Sequence, residues 1–163
     1  MKKLAIVAVA TMFCAVGAFG VSITVPFYLD DAPADGSYPP SEGSASFIGL
    51  RNITDEERLV AVEYFDASVV PGEDATPADN TFTLDAMEGF GFRPTARDSD
   101  VEGAGTRAPI ATQGFAGAVT ISWEGQPGDI VGRAIQIDSD GNVYGFGLGL
   151  GDAQVAEEDE NDG

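Results

Sequence analysis

The sequence predicts an all-β chain: an antiparallel β-sandwich of about seven strands, immunoglobulin-like or jelly-roll in type. Three observations predict it. Most apolar segments alternate with a period of two, the pattern of a half-buried strand. Long stretches with the 3.6-residue period of a helix are nearly absent, so nothing reads as a crossover helix. Clusters of Asp, Pro, Gly and Ser separate the alternating segments. The Cys–Trp–Cys spacing of antibody domains is missing, so the immunoglobulin comparison is one of architecture.

Residues 1–20, "MKKLAIVAVATMFCAVGAFG", have the layout of a secretory signal peptide. Lys2 and Lys3 precede an apolar run from Leu4 to about Ala18, and small residues follow. Cleavage before Val21 or after Ala18 fits. The apolar run is shorter than the roughly 20 residues of a spanning helix, which argues against stable membrane insertion. The context of Cys14, "TMF", does not match a lipid-attachment site. Residues 21–151 are expected to form the sandwich, and residues 152–163, "DAQVAEEDENDG", an acidic disordered tail.

The first expected strand is "SITVPFYL", with Ile23, Val25, Phe27 and Leu29 on one side. Pro26 has no amide hydrogen to donate, so this strand belongs at a sheet edge or at a bulge. A loop, "DDAPADGSYPPSEG", follows. "SASFIGLRNI" and "RLVAVEYFD", joined by "TDEE", read as a hairpin. Thr54 and Glu57 also fit a helix capping box, but Val60, Val62 and Tyr64 alternate and favour a strand. Asn52-Ile53-Thr54 is a glycosylation-type triplet. "TFTLDA", "FAGAVTISWEG" and "DIVGRAIQID" are the next strands, and "SDGN" turns the chain into "VYGFGLGLG".

Loss of the first 20 residues removes the only cysteine and both lysines, leaving six arginines against 27 carboxylates, a net charge of −21. The remaining ~143 residues suffice for one domain with its own core, stabilised without disulfides. Such a charge repels nucleic acid and anionic lipid, and suits either salty surroundings or cation binding. Export implies a secreted, periplasmic or cell-surface protein.

Residues 21–163 contain no His, Cys or Lys, so in them triads, Cys–His proteases and His/Cys zinc sites are excluded and there is no Schiff base or P-loop lysine. A carboxylate pair of the glycosidase kind is the remaining catalytic option, and a non-catalytic protein is expected. Calcium is the better chemical match. In "RDSDVEGAG", Asp98, Asp100 and Glu102 alternate before Gly103, as at the start of an EF-hand loop. Pro109 stands where that motif needs its bidentate Glu, so at most this is a looser calcium loop. The alternative is a solvated acidic loop paired locally with Arg93, Arg97 or Arg107. Asp138, Asp140 and Asn142 read as a hairpin turn rather than ligands, and "DDAPAD" adds carboxylates near Asp30. Trp123 is expected in the core, Arg133 in a structural ion pair, and Tyr28 and Tyr38 on the surface.

The stretch Tyr144–Gly151, "YGFGLGLG", is not a phosphate loop, because it follows a hairpin turn and opens no helix. Its period of two puts Tyr144, Phe146, Leu148 and Leu150 on one face and four glycines on the other. That bare face needs a cover: a loop, Phe90, Phe92 or the other sheet, or else a partner chain pairing with it. Two functions are expected from these readings. One is an interaction or structural module, with a protein partner or a second copy on this strand. The other is a calcium-dependent domain that binds carbohydrate or protein.

Overall fold

A computed structural model describes residues 20–96 and 107–148. Among them are eight strands: β1 (Val21–Leu29), β2 (Ser44–Asn52), β3 (Arg58–Asp66), β4 (Thr81–Leu84), β5 (Gly89–Phe92), β6 (Ala116–Trp123), β7 (Ile130–Asp138) and β8 (Val143–Leu148). They form two antiparallel four-stranded sheets, sheet A in the order β1-β6-β3-β4 and sheet B in the order β5-β2-β7-β8. The expected all-β sandwich is present. The strand missing from the sequence reading is β5, four residues of "GFGF".

The core forms where the alternating faces meet. Val25, Val60, Val62, Tyr64, Val119, Ile121 and Trp123 come from sheet A, and Ile48, Leu50, Phe90, Phe92, Ile130 and Ala134 from sheet B. Trp123 is fully buried, and its indole N–H donates to the Gln126 carbonyl at 3.3 Å. Phe82 of β4 meets Phe90 and Phe92 of β5 at 5.0 and 6.2 Å between ring centroids, so aromatic packing joins the two sheets where these edge strands face each other.

Pro26 acts as its missing donor dictates. Strand β1 lies at the edge of sheet A, and its register with β6 shifts between Val25 and Tyr28. The bulge reverses the side-chain parity. Tyr28 therefore turns inward and is 1 % exposed, while Phe27 turns out and is 53 % exposed. This corrects the expectation of a surface Tyr28 and an inward Phe27.

The expected hairpin between β2 and β3 does not form. Each strand carries its own apolar face, and the two face each other from opposite sheets. The connector Ile53–Glu57 spans the ~10 Å between the layers instead of turning back within one. Asn52 holds this arch. Its side-chain amide donates to the carbonyls of Glu56 and Asp85 at 2.7 and 3.0 Å, and its oxygen accepts from the Thr54 amide at 3.0 Å. Asn52 is fully buried, so the folded chain presents no reachable acceptor at the glycosylation triplet. Thr54 caps this turn, not a helix, and the strand reading of β3 holds.

A second polar cluster ties the long β1–β2 loop to the body. Arg93 donates to the Asp30 carboxylate through Nε at 2.8 Å and through a terminal nitrogen at 2.6 Å, and also to the Ala32 carbonyl at 2.7 Å. The other Asp30 oxygen accepts from the Thr95 amide and hydroxyl at 3.0 and 2.8 Å. Both charges are buried and fully bonded, the condition under which a buried pair is tolerated.

Candidate functional site: the outer face of sheet B

The two outer faces differ in kind. On sheet A, cross-strand rows carry Thr24, Thr120 and Glu63, then Ser22, Ser122 and Ala61, with the exposed Leu59 and Phe65 on the same side of β3, a surface of side chains rather than bare backbone. On sheet B, one row reads Gly91, Gly49, Arg133, Gly147 across all four strands. The next reads Gly89, Arg51, Val131. Residues paired across strands project to the same side. These rows are therefore a floor of bare backbone crossed by two arginines and one valine.

Part of this face has a cover. The loop between β1 and β2 folds over the end nearer the β7–β8 turn. Tyr38 lies edge-on to Phe47 at 6.3 Å, and Pro39 lies beside Gly141. Ser139 donates its amide to the Gly43 carbonyl at 3.0 Å, and Ser44 donates its amide to the Asp31 carboxylate at 2.7 Å. Beneath this loop Ala45 and Ile137 are buried although they point away from the core. No described residue covers the other half. A Cβ added at Gly89 or Gly147 would meet nothing within 4 Å. A shallow depression of about 490 Å³ lies here, between Gly49, Arg51, Gly89, Gly91, Val131 and Arg133.

Of the expected covers for the glycine face, the Phe90 and Phe92 option is corrected. Phe90 and Phe92 point into the core, and the alternation of "GFGF" turns Gly89 and Gly91 outward with the rest of the floor. Within β8, Gly145 and Gly147 lie on the outer face and Leu148 on the inner one, as the alternation predicts. Residues 149–151 lie outside the described residues. Tyr144 shares the inner parity, but it stands at the sheet margin and is 57 % exposed. Among the described residues, strands β8 and β5 are the two edges of sheet B.

Among the described residues no carboxylate pairs with Arg133, so the expected ion pair is not found there. The parity of Arg133 with Val131 and Ile135 is that of the outer face, where its row neighbours are glycines and no carboxylate among the described residues pairs with it. Its stem lies across Gly49, with Cγ 3.7 Å from where a Cβ would sit. Arg51 is a diagonal cross-strand neighbour, and such positions lie about 7–8 Å apart. Arg58 bonds Glu56 and Asp129, Arg93 bonds Asp30, and Arg107 bonds Glu88. Among the described residues, the cations left without a carboxylate are Arg51 and Arg133, both beside one trough.

The calcium candidates Asp98, Asp100 and Glu102 lie outside the described residues, as does Arg97. Arg93 and Arg107 are engaged elsewhere. Among the described residues no group of three or more acidic side chains is arranged to hold a metal. The second acidic segment is a turn, as expected. The Asp138 carboxylate accepts from the amides of Asp140 and Asn142 at 3.0 and 2.9 Å and from the Asn142 side chain at 2.9 Å, and Gly141 takes a φ of 82°. Asn142 holds the Asp138 carboxyl below the usual range. Asp66 serves as a similar hook. The amides of Val70, Ser68 and Val69 converge on it and bring its pKa down to about 2.

Arg51, Gly49, Gly89 and Gly91 escaped the sequence reading. Their signal was present in "GFGF", a short copy of the "YGFGLGLG" alternation, and in the "GLR" of β2.

No family model matches the chain, and no curated protein matches it. A solved structure described as the crystal structure of Thermotoga maritima 1070 is similar with a TM-score of 0.49 and 8% identity, over 77% of this chain and 90% of that one. At that level the likeness transfers neither function nor site.

Proposed function

We propose that the protein is an exported, non-catalytic interaction module that engages a protein partner or a second copy through the open half of the outer face of sheet B and the adjoining β8 edge. The carrying observation is the row Gly91, Gly49, Arg133, Gly147, which no described residue covers while the β1–β2 loop covers the rest of the face. Glycine in a strand costs roughly 0.5–1 kcal/mol relative to Ala, so several on one exposed face ask for a return. Close approach of another backbone supplies one, with β8 offering unpaired edge groups and the arginines fixing orientation. The acidic body, free of His and Cys, fits a binding role better than catalysis.

The test is Gly147→Val, which fills the floor without touching the core. Light scattering on the secreted protein, with cross-linking to its surroundings, is expected to show an assembly or partner in the wild type that the variant loses, while the melting temperature holds. A strict monomer with no recovered partner would end the proposal.

A calcium-dependent form of this role has separate support in the spacing of Asp98, Asp100 and Glu102 within a chain of net charge −19. Melts in calcium and in chelator decide it, because a ligand selective for the native state must raise the melting temperature.

A further inference from the structure

We infer that the trough on sheet B takes an extended acidic segment of a protein partner, with carboxylates two residues apart forked onto Arg51 and Arg133 and an apolar side chain beyond them. This rests on the reading of sheet B as the interaction face, and it adds the chemistry of what that face binds.

Charge comes first. The chain holds 27 carboxylates against eight Lys and Arg. Yet the outward positions of β2, β5, β7 and β8 carry no Asp or Glu, and their charged residues are Arg51 and Arg133. The carboxylates next to this face in the chain, Glu88 and Asp129, are paired with Arg107 and Arg58. No carboxylate among the described residues pairs with Arg51 or Arg133. Both are exposed, on diagonal cross-strand positions, and like charges so placed repel until an anion joins them. At physiological salt the Debye length is about 8 Å, so a ligand in the trough responds to these arginines more than to the distant acidic body.

The remaining side chains select the class of anion. The same outward positions carry no Ser, Thr, Asn or Gln. A sulfated sugar would find two guanidinium groups and little else to meet its hydroxyls. A peptide finds more. Gly49, Gly89 and Gly91 let its backbone lie close to the sheet. Exposed Val131, Ile53 and Met87 offer an apolar contact at the end of the trough nearer the Asn52 arch. Ile53 is there because its amide donates to the Asp129 carbonyl, and Met87 because its amide donates to the Thr54 carbonyl.

Spacing selects the motif. Diagonal cross-strand positions lie about 7–8 Å apart. In an extended chain, residues i and i+2 point to one side and lie about 6.6–6.8 Å apart. Arg51 and Arg133 therefore suit carboxylates at i and i+2, whereas i and i+3 would send one of the two away from the sheet.

Two peptides of identical composition test this. One is acetyl-Thr-Glu-Thr-Glu-Thr-Leu-Thr-amide, and the other is acetyl-Thr-Glu-Thr-Thr-Glu-Leu-Thr-amide. Each is titrated into the full chain while NMR follows the arginine Nε signals and the amides of Gly49, Gly91 and Gly147. The first should shift these signals and the second should bind about fivefold more weakly, the scale of one exposed ion pair. Binding should fade near 1 M salt, where the Debye length is about 3 Å. It should also be lost in Arg51→Gln with Arg133→Gln, exposed changes whose melting temperature checks the fold. The comparison of the two peptides needs no variant. Signals unmoved at millimolar peptide overturn the inference, and so do equal affinities for the two isomers. A sulfated hexasaccharide that binds these arginines more tightly than the first peptide also overturns it, as do the same shifts with rising protein concentration alone, which put a second copy on the face. If the peptides fail while Gly147→Val still abolishes assembly, the acidic ligand is wrong and the interaction face stands. If the first peptide binds as expected and no assembly or partner is recovered, the peptide site stands without the assembly.

Discussion

Single buried polar groups decide much of this fold, and they do so in opposite directions. Tyr28 was brought inside by the bulge at Pro26, and its hydroxyl has no hydrogen-bond partner among the described residues. Burial, then the nearby carboxylates of Asp66 and Asp30, push its pKa up to about 12. The ring packs edge-on against Tyr64 at 6.3 Å, so the apolar part of the residue is well used and the hydroxyl is not. Tyr28→Phe keeps the ring and removes the orphan. It should stabilise the protein by about 1 kcal/mol, read as a higher urea midpoint at unchanged slope. Arg93 is the reverse case. Arg93→Met leaves the buried Asp30 carboxylate without its cation and should destabilise by about 3–5 kcal/mol in the same measurement. A loss below 1 kcal/mol would mean that Thr95 and Ser46 satisfy Asp30 by themselves.

At the scale of strands, two glycines separate a structural role from a functional one. Gly117 pairs with Tyr28 and Asp66 in the middle of sheet A, and a Cβ there would run into the Phe65 carbonyl. Gly117→Ala must shift β3 or β6 and should cost about 1–3 kcal/mol, whereas the same change at the open Gly147 should leave the urea midpoint unchanged or raised. Element type was legible because alternation is a local signal: seven of the eight strands were visible in their side-chain period. Layering was not. The segments "SASFIGLRNI" and "RLVAVEYFD" look alike whether they pair or face each other, since both arrangements bury the same residues. What decides is the buried Asn52 arch, whose partners Leu84 and Asp85 come from a distant part of the chain. The glycine floor was half legible for the same reason. The β8 alternation named Gly145 and Gly147, but only register brought Gly49, Gly91 and Arg133 into one row with Gly147.

For the molecule as a whole, acidity acts through two mechanisms with opposite pH dependence. The general excess of carboxylates, a formal −19 for the chain at pH 7, destabilises the compact state by self-repulsion. That cost falls with added salt and with protonation. The turn carboxylates behave otherwise. Asp66 has its pKa lowered to about 2 by the converging amides, and Asp35, Asp74 and Asp138 are also lowered by hydrogen bonds within their turns. A folded pKa below the unfolded value stabilises above the unfolded value, near 3.9 for Asp, and that contribution is lost as pH falls through the folded value. At low salt the melting temperature should therefore rise as pH drops from 7 toward about 5, then fall steeply between about pH 4 and 2. Near 1 M salt the first rise should flatten, because long-range repulsion is already screened, while the acid fall remains, because hydrogen bonds within a turn are not. In Asp66→Asn the acid fall should become shallower. Calorimetric melts across pH at two salt concentrations measure all three effects. If high salt removed the acid fall together with the rise, repulsion alone would govern stability and the turn hooks would contribute nothing.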